Sequence, residues 1–186
     1  MKDNIIPAIR LTLFCALFFS GIYTLSIYGI AQFSPNNGNG EIVSVNGKTQ
    51  HIHVAQKFTS GKYFWSRPSA VDYNAAGSGG SNKGIANPEY LAQVESRIDT
   101  FLIKNPGVKR SEIPSDIVTA SGSGIDPDIS VQAAKVQARR IAATRKLPED
   151  KILELIKSKT EAPLLGVLGT QKINVLALNI ALDQLK

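Results

Sequence analysis

The sequence predicts a mixed α/β protein: one N-terminal transmembrane helix followed by a single soluble α/β domain with a small sheet. Three observations predict it. Leu11 to Phe33, LTLFCALFFSGIYTLSIYGIAQF, is an uncharged run of 23 residues. As a helix it would be roughly 35 Å long, enough to cross a hydrocarbon core of about 30 Å. After it come about 150 polar, glycine-rich residues, a common size for one domain. Within them, stretches with the period of a strand interleave with stretches with the period of a helix. The order is too irregular for a doubly wound sheet.

The chain divides into a head (residues 1–10), the span (11–33), a linker (34–40) and the α/β domain (41–186). In the head, Lys2 and Arg10 stand against Asp3. These basic residues and the α-amino group favour a cytoplasmic N-terminus. The expected location is therefore a bacterial inner membrane, crossed once, with the domain on the periplasmic or outer side. A cleaved signal peptide is the alternative, with Gly29 and Ala31 placed like the small residues before a cleavage site. Its apolar core of roughly 7–15 residues is shorter than this run. Either reading exports the domain.

Within the span, Ala16, Ser20 and Thr24 recur every fourth residue. Small residues let helix backbones approach closely in lipid, so this stripe is a candidate docking face for another membrane helix. Tyr28 and Phe33 suit the outer headgroup level.

The formal charge is +6, and residues 11–186 carry 19 basic and 14 acidic residues, spread along the chain. A nucleic-acid surface needs clustered basic residues, so no nucleic-acid partner is expected. The single cysteine, Cys15, lies inside the span. No intramolecular disulfide is available, and the domain must be held by its core.

SPNNGNG (34–40) punctuates the chain and buries nothing. EIVSV-NG-KTQHIHV then reads as a hairpin, because Asn46-Gly47 suits a turn needing φ > 0 at both residues. Val43 and Val45 alternate on one strand, Ile52 and Val54 on the other. His51 and His53 share the opposite face; with no further His or available Cys they read as a solvated face, and no metal is expected. Tyr63, Phe64 and Trp65 read as core, with a partner or membrane surface as the alternative for Trp65. Pro68 keeps Arg67 extended.

Two glycine-serine loops follow. NAAGSGGSNKG (74–84) reads as an ordered surface loop; as the alternative, the N–H groups of Gly77, Ser78, Gly79, Gly80, Ser81 and Asn82 suit an anion-binding concavity or a partner surface. It is not a Walker A loop, since Lys83 precedes Gly84. The second loop, ASGSGIDPDIS, offers Ser121, Gly122, Ser123 and Gly124 for the same nucleotide or partner role. Asp126 and Asp128 flank Pro127 as cation-attracting carboxylates; the further ligands of a calcium loop are absent. Ser123 lacks the spacing of a nucleophile elbow, and no catalytic residues emerge.

Between and after the loops, helices are expected from Asn87-Pro88 to Asn105, from Ser130 to Arg145, from Pro148 to Ser158, and from Asn174 to Leu185. The first has Leu91, Val94, Ile98 and Phe101 on one face. Residues 116–119 read as a buried strand or the end of one. On the second helix Lys135, Arg139, Arg140, Arg145 and Lys146 read as a solvated face, with lipid phosphates or an acidic partner as the alternative.

Three stretches together resemble the C subunit of the bacterial high-affinity potassium-transporting ATPase, the Kdp system. They are YFWSRPSAVDYNAAGSGGSNKG, IPSDIVTASGSGIDPDIS and LGVLGTQKINVLALNIALD, with the NPEYL helix start in the same order. The resemblance runs from the span to Asp183. It implies an accessory subunit beside a P-type ATPase subunit, a potassium-conducting subunit and a small single-span subunit. It also implies a catalytic chaperone that raises the ATPase subunit's affinity for ATP, with ATP and potassium handled by the complex and no cofactor held tightly by this chain. The residues agree that this is not the hydrolytic subunit: there is no Asp-Lys-Thr-Gly, and Lys159-Thr160 lacks both flanks. A free-standing membrane-anchored module binding a small anion in its glycine-serine loops is the alternative.

Overall fold

The computed structural model describes residues 4–45 and 47–185. Asn46, the first residue of the expected hairpin turn, and Lys2 and Asp3, two of the charges that bear on orientation, lie outside the described residues. The chain falls into two units, residues 1–42 and 43–186.

The first unit is one helical rod. Helix α1 (Ile5–Ala16) runs into a π-helical segment (Leu17–Tyr23) and then into helix α2 (Thr24–Ala31). Within the 27 residues from Ile5 to Ala31, the most apolar stretch has a mean hydropathy of 2.0 and none of it is buried. At 1.5 Å per residue the rod is about 40 Å long, so the helix starts six residues before the expected span and takes in Arg10. The wide turns have a local cause. Thr24 Oγ1 donates to Phe19 O five residues back at 2.9 Å, and Ser26 Oγ donates to Ile22 O at 2.7 Å. Hydroxyls that bond back to carbonyls compete with the regular ladder. The linker is a tight turn: Asn36 and Asn37 take left-handed φ of 57° and 52°.

The second unit opens with β1 (Ile42–Val45) paired to β2 (Lys48–His51). The pairing ends at His51, so Ile52 and Val54 fall outside the expected strand. Helix α3 (Pro88–Lys104) starts as expected, with Asn87 Oδ1 accepting from Tyr90 N at 2.9 Å. Phe101 is buried and Val94 and Ile98 pack on the core, but Leu91 is exposed. The predicted strand at 116–119 is instead a 3-10 turn (Ser115–Ile117), in which Ser115 O accepts from the N–H of both Val118 and Thr119. Ile117 and Val118 are still buried. Apolar burial was legible there, but a short apolar run does not specify the backbone.

Strand β3 (Asp128–Ile129) pairs antiparallel with β4 (Ile173–Asn174), setting Asp128 opposite Asn174 and Ile129 opposite Ile173. Helices α4 (Val131–Arg145), α5 (Glu149–Ser158) and α6 (Val175–Gln184) complete the domain. Ser130 and Asn174 cap α4 and α6, accepting from Ala133 N and Ala177 N. The thin face of α4, with Ala133, Ala134, Ala138 and Ala142 all buried, lets α5 pack close. Ile152, Leu155 and Ile156 of α5 enter the same core; each such side chain contributes roughly 1.5–3 kcal/mol on burial.

Candidate functional site

The site is built on residues 61–68, a turn (61–63) running into irregular backbone that pairs with no strand among the described residues. Buried side chains of α4 and α6 serve its backbone instead. Asn179 brackets Phe64, accepting from its N–H at 2.9 Å and donating to its carbonyl at 3.0 Å. Gln137 Oε1 accepts from Trp65 N at 2.8 Å. Arg140 donates to Tyr63 O at 3.0 Å, to Gly61 O, to Gln137 Oε1 at 2.8 Å and to Asn105 Oδ1 at 2.8 Å. Its guanidinium carbon lies 4.2 Å from the centre of the Trp65 ring, which meets Phe101 edge-on. Arg140 is only 8% exposed, and burial pushes its pKa down from the ordinary arginine value to about 10. Trp65 is therefore half-buried and packs against the core, as expected. The basic face of α4 is not uniformly solvated: Arg140 is internal, and Arg145 pairs with Asp183 at 2.6 Å and donates to Lys62 O. Lys135, Arg139 and Lys146 are exposed.

This locked segment carries Arg67-Pro68 to the two glycine-serine loops, which meet. Gly79 N donates to Ser123 O at 2.8 Å, and Ser78 Oγ donates to the same carbonyl at 2.9 Å. Ser121 N donates to Pro68 O. The contact needs glycine. A Cβ on Gly80 would lie 2.8 Å from Gly122 O. Gly124 has φ +70°, and a Cβ there would lie 2.6 Å from Val71 and 2.7 Å from Gly79 O. Ser121 and Gly124 are buried, whereas Gly77, Ser78, Asn82, Gly122 and Ser123 are exposed and Gly79, Gly80 and Ser81 half-buried. Four of the ten N–H groups offered by the two loops donate to backbone carbonyls: Gly79 across the seam to Ser123, Ser121 to Pro68, and Gly77 and Gly124 within their own loops to Asn74 and Ser121. Sequence reasoning named both loops and missed their meeting.

Beside the seam a polar cavity of about 470 Å³ is lined by Arg67, Asp116, Asp126, Asp128, Ser130 and Lys172, among others. Asp126 pairs with Arg67 at 2.8 Å and accepts from Asp128 N at 3.0 Å. Asp128 pairs with Lys172 at 2.6 Å. That hydrogen bond holds the Lys172 ammonium above its ordinary value. Asp116 accepts from both the N–H and the hydroxyl of Ser130, fixing the start of α4. Arg67 Nε and Asp128 Oδ1 are buried without partners. A cation drawn to Asp126 or Asp128 would compete with the Arg67 and Lys172 already there. Among the described residues no group of His, Cys, Asp or Glu is arranged to hold a metal, and His51 and His53 are exposed.

In the first unit Ala16, Ser20 and Thr24 are all exposed along the rod, on either side of and within the π-helical turns. The Thr24 hydroxyl is taken by Phe19 O.

Comparison with known proteins covers both units. A family model described as "KdpC: K+-transporting ATPase, c chain" matches residues 5–184. A "Potassium-transporting ATPase KdpC subunit" of Flavobacterium psychrophilum is 55% identical over 98% of this chain and 99% of its own length. The like-named protein of Flavobacterium johnsoniae is 54% identical over the same shares. That of Bacteroides fragilis is 49% identical over 98% of each chain.

Proposed function

The chain belongs to the KdpC family of K+-transporting ATPase c chains, and from that premise we propose that it is the anchored accessory subunit of an ATP-driven potassium import pump. It assembles and stabilises the complex and raises the ATP affinity of the P-type ATPase subunit. The observation that carries this reading is 55% identity to a KdpC subunit along 98% of the chain. The rod from Ile5 to Ala31, apolar and unburied, supports a single membrane pass.

The partners are a P-type ATPase subunit, a potassium-conducting subunit and a small single-span subunit. ATP and potassium are bound by those partners. The N-terminus lies in the cytoplasm and the α/β domain outside it. ATP is then on the opposite side of the membrane from this domain. Its effect on nucleotide affinity is a coupling between distinct sites, carried by the conformations of the partner. A domain that works this way must keep its shape, and the buried fork of Arg140 and the glycine seam give it rigid joints.

The test is ATP hydrolysis by the purified pump with and without this chain. The proposal expects KM for ATP to rise when the chain is removed and to fall again on adding it back; an unchanged KM refutes the chaperone role. The orientation is read by a thiol at Asn82 in a chain lacking Cys15. An impermeant reagent should label Asn82→Cys in intact spheroplasts, and labelling only after lysis would reverse the topology.

A further inference from the structure

Four large apolar side chains crowd one exposed tip of the domain. Leu164, Leu165, Val167 and Leu168 are 58–83% exposed within five residues. Other exposed apolar residues of this domain, such as Ile85, Leu91 and Ile103, are scattered. Single exposed apolar residues are ordinary; a contiguous cluster marks an interaction surface.

The tip is prefolded. Glu161 and Lys172 bridge at its stem, with Glu161 N donating to Lys172 O at 2.9 Å. Leu164 and Leu168 bridge at its neck, each N–H donating to the other's carbonyl at 2.9 Å. Gly166 N closes the turn onto Pro163 O. Leu165 sits at φ +56°, a left-handed conformation that ordinary side chains avoid. The stem leads directly into β4 and the buried start of α6, so the tip is mounted on the core. A loop free to collapse would fold these side chains inward; this one holds them out.

We propose that residues 163–168 are a docking plug that enters an apolar cleft on a membrane-embedded subunit of the same pump, on the side of the membrane where this domain lies. This rests on the reading of the chain as a pump subunit. Ten residues, 32–41, separate the apolar rod from β1 and span at most about 35 Å, so an anchored domain stays within reach of such subunits. The chemistry favours protein over lipid. The tip carries no Trp, Tyr or Phe, the residues that seat a segment at the headgroup level. Lys172 at the stem is occupied by Asp128 and Glu161 and offers no free cation to anionic lipid. A rigid tip also loses little freedom on entering a shaped cleft.

The test places a benzophenone-maleimide on Leu165→Cys or Val167→Cys in a chain carrying Cys15→Ser, assembled with the whole pump in membranes. The expected result is a photo-adduct between this chain and a larger pump subunit, at least tenfold stronger than from Asn82→Cys. Co-purification of the pump subunits with the same tagged chain reads assembly separately. Assembly without an adduct at either tip position overturns the docking and leaves the subunit reading standing. No assembly of the unlabelled parent chain overturns both. Quenching of a fluorophore at Val167→Cys by brominated lipids, without a protein adduct, assigns the tip to the bilayer and overturns the proposal. As a second arm, Leu165→Asp with Val167→Asp should shorten the lifetime of the detergent-purified complex at least tenfold with an unchanged circular dichroism spectrum; an unchanged lifetime overturns it too.

Discussion

Replacing Arg140 by alanine should unfold this domain more readily than any change to a surface cation. The guanidinium donates to four acceptors: Asn105 Oδ1, Gln137 Oε1, Tyr63 O and Gly61 O. Hydrogen bonds from a charged donor contribute about 1.5–3 kcal/mol each, or roughly 6 kcal/mol at the low end. A desolvated stack on Trp65 adds about 1–2 kcal/mol. Against this stands the cost of burying the charge. The fall from the ordinary arginine value to about 10 corresponds to roughly 3 kcal/mol at about 1.4 kcal/mol per pH unit. The net loss for Arg140→Ala is then about 4 kcal/mol, or about 10 °C in Tm for a domain of this size. The sign with pH follows. The folded pKa lies below the unfolded one, so stability rises with pH only from about 10 up to the unfolded arginine value. Across pH 6–9 the loss should be flat. Trp65 is the sole tryptophan and lies under the guanidinium, so its fluorescence in urea titrations of the detergent-solubilised full chain reports this locus, with circular dichroism in parallel. Arg140→Lys keeps the charge without the fork or the stack and should recover less than half the loss. A midpoint for Arg140→Ala within about 0.5 kcal/mol of the parent, the range of an ordinary surface change, would refute the reasoning.

The other predictions are read by the same melts. Gly124→Ala combines a left-handed backbone costing about 1–2 kcal/mol with overpacking of about 1–3 kcal/mol against Val71 and Gly79, giving about 3 kcal/mol. Gly122→Ala, with nothing within 4 Å of the new Cβ, should stay within about 0.5 kcal/mol. Asn179→Ala leaves the buried N–H and carbonyl of Phe64 without partners and should cost about 2–4 kcal/mol. Asn179→Asp keeps the acceptor but buries a carboxylate against the Phe64 carbonyl, and should cost at least as much. Lys172 is raised chiefly by its bond to Asp128. Its contribution is complete below 10.5 and is lost as pH rises through the higher folded value. With the side chain 50% exposed, the loss should be under about 1 kcal/mol, and Asp128→Asn should shrink that slope of Tm against pH to the smaller part Glu161 supplies.

Local chemistry was legible in the sequence. Asn87, Ser130 and Asn174 announce three helix starts, and each makes the expected cap bond. The apolar rod is evident from composition. What the sequence hid was long-range. Asn179 meets Phe64 across 115 positions, and no local period encodes such a pair. A signal was present all the same: Gln137 and Asn179 are polar residues set between inward-facing ones, Ala134 and Ala138 on α4, Leu178 and Leu182 on α6. A polar group in an apolar stripe needs a partner, and a segment without a strand neighbour needs donors and acceptors. Arg140 looked solvated because a run of basic residues usually is. The glycine loops were noticed as possible cradles, yet Gly80 and Gly124 are required by the backbone that crosses them. Residues 116–119 took a 3-10 turn because Ser115 O collects two N–H groups after Pro114.

The most direct test is purification of the tagged, full-length chain from native membranes in mild detergent, followed by gel filtration and a K+-stimulated ATPase assay. The account predicts that the chain leaves the membrane fraction with larger integral-membrane subunits and with that ATPase activity. Recovery of the chain alone, or in the soluble fraction without its first thirty residues, would contradict it.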